Sequence, residues 1–530
     1  MPPHRLQFYK NTLSPPEITQ SALQGFLIEL QGAVINGVKI IESKHPAGED
    51  DGRGIFSGDL GIALAYLRLA RQSPSLQTSH DGPLLSFYDL ARARISSKPS
   101  TNDLAIGLLS PLPSKSPLSL TALRILYNLS IGSACDIIDS DLTVLHDAVR
   151  MALSHGATGV YHGHELGADE VLFGRAGLLW TIMNVQKWEA DFDERQRGLL
   201  GGMLEDEMVR KLVEAIVQAG RDGGDECHRI VGDGKGKSKD NVKPLMWMWM
   251  KGHYGLGWAH GLTGILSILL SSPTEILAPH LASIGATINL LCQTCINENG
   301  HLPTCIPPRS TSSSHSSPLV QICHGSPAIL ALMGCALKIP ELVLSHWTPE
   351  WDTAIRLATQ RVWEEGLLSK GGGLCHGIAG NAWPLLMLYG AFEENGDILQ
   401  DARENYATRM RSTARTQAGT GDPLVADYFL SRALAMLLHA CETQPYNQMP
   451  VDAANDYRMP DHPYSLFEGL SGTVCAWSEA CVALKARLRK MELQQNGQDL
   501  YLSGDSAVKE CSRQQLGFPF LGGNGVTGLL

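Results

Sequence analysis

The sequence lacks the segments that would take a protein into or across a membrane. No stretch of about 18 uninterrupted apolar residues occurs, so we expect no membrane span. Met1 to Leu13 is polar and mixed, without the apolar core that follows a basic start in a signal peptide. The 12 cysteines are scattered over 530 residues without a dense framework. We therefore expect reduced thiols in a cytoplasmic protein, some of them available as metal ligands.

Positive charge is also scarce. The formal net charge is −11 and no run of Lys and Arg occurs, which argues against binding to nucleic acid or to an anionic membrane. Alternating β-branched segments are few, so a sheet protein is disfavoured. Apolar residues make up 44% and charged residues 18%, the balance of a folded globular chain. A chain of this length buries most of its apolar surface without disulfides.

A glycine-rich turn followed by an apolar run with helical spacing recurs along the chain. The first glycines of the six copies are Gly58, Gly174, Gly261, Gly325, Gly377 and Gly469. The runs are rich in helix formers, and glycine lets neighbouring elements approach closely. Repeated helical hairpins with all turns at one end predict an all-α, closed α/α toroid whose turns meet at one mouth. An open helical solenoid is the alternative, and the unequal spacing of the copies counts against it.

Three segments have the composition of loops inserted between the helices. They are 95–117, rich in Ser, Pro and Lys, 231–243, rich in Gly and Lys, and 310–318, rich in Ser. None of them separates parts of different composition. We therefore expect a single domain over residues 1–530.

Two adjacent copies of the turn carry the same tripeptide, Cys-His-Gly. Cys323-His324-Gly325 and Cys375-His376-Gly377 would face one mouth. Two thiolates and one imidazole with an open fourth position form a zinc site of the catalytic type. The alternative is a pair of buried cysteines beside helix-capping histidines, and the repetition in register favours the metal. The spacing does not decide which histidine stays outside the ligand set.

Acid–base candidates lie in two earlier turns. His260 occupies the turn position of His324 and His376 without a preceding cysteine, and could transfer a proton near neutral pH. Asp169 and Glu170 precede the second copy, and Arg175 lies within it. A carboxylate and a guanidinium there could orient substrate or stabilise an oxyanion. The alternatives are capping or core residues and an ordinary surface arginine.

The motifs as a set resemble those of the LanC-like (lanthionine synthetase C-like) family, in its eukaryotic branch. The matching phrases are 169–177 (DEVLFGRAG), 256–265 (LGWAHGLTGI), 321–327 (QICHGSP), 373–381 (GLCHGIAGN) and 465–472 (SLFEGLSG). The resemblance runs from about Gly54 to Leu521. It implies a double-layered α/α toroid of about seven inner and seven outer helices.

The resemblance also implies roles for individual residues. One zinc ion per chain would be held by Cys323, Cys375 and His376, which leaves His324 outside the ligand set. His260 would be the acid or base, and either Asp169 or Glu170 the carboxylate of the site. Arg5 matches an arginine near the glutathione site of the family.

The resemblance predicts a zinc-dependent transferase that forms thioethers. It would activate a thiol, glutathione, for addition to dehydroalanine or dehydrobutyrine residues in peptides or proteins. The alternative is a non-catalytic glutathione-binding adaptor or signalling protein that retains zinc. A third class is an α/α-toroid glycosidase or a zinc prenyltransferase subunit. The first relies on paired carboxylates and the second on an aspartate ligand, which the Cys-Cys-His set does not match.

Overall fold

The chain is largely helical in a computed structural model. The structure describes residues 6–48, 53–77, 86–97, 103–161, 163–203, 205–231, 242–308, 318–411, 424–447, 457–497 and 505–522. The helices are α1 (Gln20–Lys44), α2 (Gly54–Ser57), α3 (Asp59–Leu76), α4 (Phe87–Arg94), α5 (Pro117–Ser130), α6 (Asp139–Ser154), α7 (Arg175–Gln186), α8 (Glu194–Leu200), α9 (Asp206–Val231), α10 (Leu262–Leu269), α11 (Thr274–Leu277), α12 (Leu281–Asn297), α13 (Ser326–Ala336), α14 (Pro340–His346), α15 (Pro349–Glu365), α16 (Ile378–Arg411), α17 (Ala426–His439), α18 (Leu470–Gln495) and α19 (Ser506–Gln514). The strands are β1 (Phe8–Tyr9), β2 (Thr158–Tyr161), β3 (His164–Gly167), β4 (Met248–Met250), β5 (His253–Gly255), β6 (Cys305–Ile306) and β7 (Leu367–Leu368).

Seven of the described helices form a closed inner ring. In chain order they are α3, α5, α7, α10, α13, α16 and α18; each packs against the next, and α18 packs against α3. A second layer surrounds them, made of α1, α4, α6, α9, α12, α15 and α17. The prediction of a double-layered α/α toroid is therefore confirmed. An open solenoid is excluded, because its first and last inner helices would not touch.

The two layers differ in how their residues are buried. Every residue of α10 and α13 is buried, as expected for inner helices that are covered on all sides. The outer helix α15 buries one stripe, which includes Trp351, Ile355, Ala358 and Val362, and leaves its other face to solvent. This spacing of three and four residues is that of an amphipathic helix.

Backbone hydrogen bonds join the turns that precede the inner helices into a ring. The donor and acceptor pairs are Phe56 N to Leu112 O, Leu109 N to Phe173 O, Leu172 N to Ala259 O, Trp258 N to Ile322 O, Cys375 N to Phe467 O and Phe467 N to Phe56 O. Six of the seven junctions are thus linked. The seventh lies between the turns of Cys323 and Cys375, where the described residues form no such bond. There Asn381 Nδ2 donates to Val320 O at 2.9 Å.

The inner helix α5 has a turn that the repeat search missed, because the turn contains no glycine. Ser116 caps the helix by accepting from Leu118 N, and Pro117 stands in the first helical turn. Serine followed by proline before an apolar run was the available signal. The turn belongs to the segment 95–117, of which 95–97 and 103–117 are described. The predicted loops 231–243 and 310–318 lie almost wholly outside the described residues, so they and the single-domain boundary stay predictions.

A small antiparallel sheet borders the mouth of the toroid. Its order is β2-β3-β4-β5-β6. Its strands hold two to four residues, too few to show the alternation by which a strand is found in a sequence. The chain runs from β3 through Ala168 to Asp169, and from β5 into the turn of His260. The sheet therefore sets the direction from which both turns enter the site.

The N-terminal segment also reaches the ring of turns. β1 pairs with β7, with Phe8 opposite Leu368. Beyond that pair, Ser369 Oγ donates to the carbonyl of Leu6 at 2.7 Å. Ser369 lies six residues before Cys375 in the sequence, so the start of the described chain is held close to the turn that carries this cysteine.

The C-terminal segment 515–522 lies inside the ring of inner helices. Phe518 and Phe520 are fully buried. Phe520 stacks on Trp180 of α7 with ring centroids 3.8 Å apart. Phe518 meets the edges of Trp258 and Trp383, at 5.8 and 5.2 Å. Because these partners come from different sides of the ring, the segment fills the bore beneath the turns.

Buried polar contacts hold this segment in place. Glu479 of α18 accepts from the backbone N–H of Leu516 at 3.2 Å and of Gly517 at 2.9 Å. Arg68 of α3 donates to the carbonyl of Gly517. Ser271, just after α10, donates to the carbonyl of Leu521 at 3.0 Å. Four backbone polar groups of the segment are thus satisfied by side chains of its surroundings.

One helical stretch of the described chain meets the length and hydropathy limits for a membrane span. In Thr274–Asn297, an 18-residue window reaches a mean hydropathy of 1.3, and 56% of that window is buried in the fold. The pair α13 and α14 meets the limits only when both are counted as one span bent by 106°. Core helices meet the same limits, so this is weak support for a span.

We expect Phe518→Ala to lower the free energy of unfolding by about 3–5 kcal/mol, because it leaves a cavity between two tryptophans. Denaturant unfolding followed by tryptophan fluorescence measures this. Ile28→Ala is the matched control, since Ile28 on the outer helix α1 is 66% exposed. Equal effects of the two substitutions would contradict the placement of the C-terminal segment in the core.

Candidate metal centre and acid–base pair

Cys323, Cys375 and His376 meet where two adjacent turns lie side by side. One ligand atom from each lies within 4.8 Å of the other two, and both cysteines are buried. The four ligands of a tetrahedral zinc ion lie roughly 3.5–4 Å apart, given bond lengths of about 2.0–2.3 Å. A small inward movement of these side chains would therefore accommodate the ion. The donor set, two sulfurs and one imidazole nitrogen, is one that zinc prefers.

The pKa values of the two thiols in the cluster are shifted in opposite directions. A hydrogen bond from Cys375 lowers the pKa of Cys323 well below its usual value; burial opposes this, and a further hydrogen bond with His376 assists it. The same contact with Cys323, together with burial, raises the pKa of Cys375 well above its usual value. One sulfur of the pair is thus favoured as a thiolate, the form that binds metal.

The partly buried His260 pairs with the buried Glu170. Its Nδ1 lies 2.8 Å from Glu170 Oε2. Burial raises the pKa of Glu170, and the charge of His260 opposes that rise. Burial by itself would lower the pKa of His260, but the Glu170 carboxylate outweighs it, so the pKa is raised. Of the two carboxylates that the sequence left open, Glu170 is the one that contacts the turn histidine.

Asp169 and Arg175 form a separate pair. Arg175 Nε donates to Asp169 Oδ1 at 2.6 Å, and both side chains are buried. Burial raises the pKa of Asp169 to about 6, although Arg175 opposes the rise. The other side-chain contact of Arg175 is the carbonyl of Ala152, at 3.5 Å. This pair ties the second turn to α7 and to the end of α6, rather than to His260 or the cysteines.

An aromatic stack covers His260. Trp249 of β4 lies nearly parallel to the His260 ring, with centroids 5.2 Å apart, and Phe173 does so at 6.0 Å. His324 stacks on His260 at 5.7 Å and stays outside the cluster of ligand atoms. The sequence analysis missed Trp249, because this residue lies on strand β4 and not in one of the repeated turns. The Met-Trp alternation of residues 246–250 was the only signal.

Two charged residues beside the cluster were also missed. Glu468, in the turn before α18, places Oε1 3.8 Å from Nε2 of His376. Lys370 lies close enough to Cys375 for its charge to favour the thiolate, although other contacts keep the pKa of Cys375 raised. Arg5 lies outside the described residues. The carbonyl of its neighbour Leu6 accepts a hydrogen bond from Ser369, which precedes Lys370 in the sequence.

Comparison with known proteins identifies the family. A family model described as "Lanthionine synthetase C-like protein" matches residues 116–423, more than half of the chain. The chain belongs to the lanthionine synthetase C-like family. The match includes the turns of Glu170 and His260 and both turns of the metal cluster. The resemblance seen in the sequence motifs is thus confirmed.

Two curated members of the lanthionine synthetase C-like family are similar to the chain. "Glutathione S-transferase LANCL1" of Danio rerio is 26% identical over 307 residues, which are 58% of this chain and 57% of that protein. "LanC-like protein GCL1" of Arabidopsis thaliana is 25% identical over 309 residues, 58% of this chain and 54% of that one. The chain thus spans little more than half the length of these relatives.

A solved structure is also similar, that of "Nisin cyclase". It is 14% identical, and the match covers 74% of this chain and 91% of the other, with a TM-score of 0.34. The description of the fold does not depend on this match. It rests on the closed ring of inner helices.

We expect Glu170→Gln to lower the pKa of His260. The substitution removes the main charge that raises the pKa and leaves the burial that lowers it. In the wild type, the protonated imidazole should therefore persist to higher pH than in the variant. NMR titration of ¹⁵N-histidine-labelled protein measures both values. Asp169→Asn is the control and should leave the His260 titration in place; an unchanged titration in Glu170→Gln would contradict the pairing.

Proposed function

We propose that the protein is a zinc-dependent transferase that forms thioethers. It activates a thiol, glutathione, for addition to dehydroalanine or dehydrobutyrine residues of peptides or proteins. The observation that carries the proposal is the position of the Cys323, Cys375 and His376 cluster beside the pair of His260 and the buried Glu170. The name of the Danio rerio relative, a glutathione S-transferase, supports the choice of thiol.

The ligand set suits the activation of a thiol. One zinc ion per chain, when bound, would accept the substrate thiol at its fourth position and hold it as a thiolate near neutral pH. Cys323, Cys375 and His376 would supply the other three positions. The closed inner ring holds their two turns side by side, so the sulfur of the substrate would be delivered at the mouth of the toroid.

His260 is proposed to move the proton of the addition. The thiolate sulfur forms a bond to the β-carbon, the electrons of the C=C bond shift towards the α-carbon, and a proton must then reach that carbon. Glu170 engages Nδ1 of His260, which leaves Nε2 to carry the proton. The raised pKa of His260 favours the protonated imidazole that this step consumes.

Glutathione carries two carboxylates, which require cationic partners. Lys370 lies beside the metal cluster and is proposed to bind one of them. Arg5 is proposed as a second partner, since the segment that follows it is anchored at Ser369. A cytoplasmic location is proposed as well, because the thiolate ligands and glutathione both need a reducing compartment.

Metal analysis tests the centre. We expect about one zinc per chain in the purified wild type and a large loss in Cys375→Ala, measured by elemental analysis. Cys481→Ala is the matched control, because Cys481 is equally buried but lies on α18 away from the cluster. A folded wild type without zinc would overturn the proposed chemistry.

An activity assay separates the enzyme from the non-catalytic adaptor. We expect His260→Ala to keep its zinc and to lose about 10²–10⁴-fold in the rate of glutathione addition to a dehydroalanine peptide, the usual contribution of a general acid. His155 is an exposed histidine after α6, and His155→Ala should keep both the zinc and the rate of addition. A wild type that binds zinc and glutathione but shows no addition would support the adaptor.

A further inference from the structure

Glu468 lies between two histidine side chains at the edge of the metal cluster. Its Oε1 is 3.8 Å from Nε2 of His376, and its Oε2 is 3.6 Å from Nε2 of His462. The Glu468 side chain is only 14% exposed. A carboxylate that is largely removed from water needs donors for its oxygens, and the two imidazoles lie just beyond hydrogen-bond distance of them.

The proton positions on His462 follow from its other neighbour. Arg53 Nη1 lies 3.3 Å from Nδ1 of His462. A guanidinium can only donate a hydrogen bond, so this Nδ1 is the acceptor. In the neutral ring the single proton then sits on Nε2, the nitrogen that faces Glu468. Nε2–H of His462 thus faces Oε2 of Glu468, and Oε1 faces His376.

The same reasoning fixes the ring of His376. An ionised carboxylate only accepts, so Nε2 of His376 must carry its proton when it faces Oε1 of Glu468. A metal ligand must be a neutral imidazole with a free lone pair. When the contact with Glu468 forms, Nδ1 is therefore the nitrogen of His376 that is left to bind the ion.

Two features of the fold bring Glu468 to this place. Its predecessor Phe467 accepts a hydrogen bond from the backbone N–H of Cys375, which fixes the register of the two turns. Gly373 packs directly against the backbone of Glu468, and a Cβ at position 373 would collide with that backbone. The turn before α18 therefore positions the ligands of its neighbour, although it supplies none itself.

We infer that Glu468 is a positioning residue of the metal centre, whose carboxylate holds His376 so that Nδ1 faces the ion. This inference rests on the proposed function, which places a metal at the cluster. The present separation exceeds a hydrogen bond, and metal at Nδ1 makes Nε2–H a stronger donor, so we expect the contact to shorten on binding.

The affinity of the full-length protein for Zn²⁺ tests the role of Glu468. Competition with a chromophoric chelator should show binding about 10–100-fold weaker in Glu468→Ala, the usual effect of losing a carboxylate behind a ligating histidine. Glu468→Gln keeps an acceptor oxygen and should lose less. Glu442→Gln is the matched control, because Glu442 faces His439 at 3.1 Å, on a histidine outside the cluster. Unchanged affinity in Glu468→Ala would overturn the inference.

Spectroscopy of the wild type tests the ligand atom without any substitution. In ¹⁵N-histidine-labelled protein loaded with ¹¹³Cd²⁺, we expect coupling of the metal to Nδ1 of His376 and a proton on Nε2. Coupling to Nε2 would overturn the inference and leave the proposed function intact. A wild type that binds neither Zn²⁺ nor ¹¹³Cd²⁺ would contradict both the inference and the proposed function. These outcomes hold even if the Glu468 variants fail to fold.

Discussion

The ring of backbone hydrogen bonds between the inner turns is the constraint on which the rest of the structure depends. Each link joins residues far apart in the sequence, such as Phe467 and Phe56, and fixes one turn against its neighbour. The helices that follow can then pack in only one register. Because backbone groups form these links, the side chains of the turns are free to vary, and the proposed chemistry falls to them.

The metal cluster occupies the one junction that the described residues do not link in this way. There the thiols of Cys323 and Cys375 stand where the other turns exchange a backbone bond, and Asn381 bridges the gap with its side chain. A bound ion would therefore join two turns as well as activate a substrate. The alignment of the two turns and the proposed activation of the thiol would thus depend on the same ion.

The sequence predicts some parts of the site far better than others. The repeated Cys-His-Gly predicts the cluster, because identical turns in neighbouring repeats must lie side by side. Adjacent residues such as Asp169 and Glu170 cannot be told apart, since only the tertiary structure shows which one faces His260. Trp249 and Glu468 were missed for a related reason. Their roles arise from elements that are remote in sequence and meet only when the ring closes.

Among the described residues, the buried segment 515–522 closes the bore of the toroid beneath the turns. Phe518 and Phe520 occupy the bore, so an acceptor peptide of the proposed transferase could not be threaded through the ring from one end to the other. It would have to enter and withdraw past the same rim, as a free end or a projecting loop. Under that proposal, acceptor residues in extended or locally unfolded stretches of a protein would be reachable, whereas those within rigid secondary structure would not.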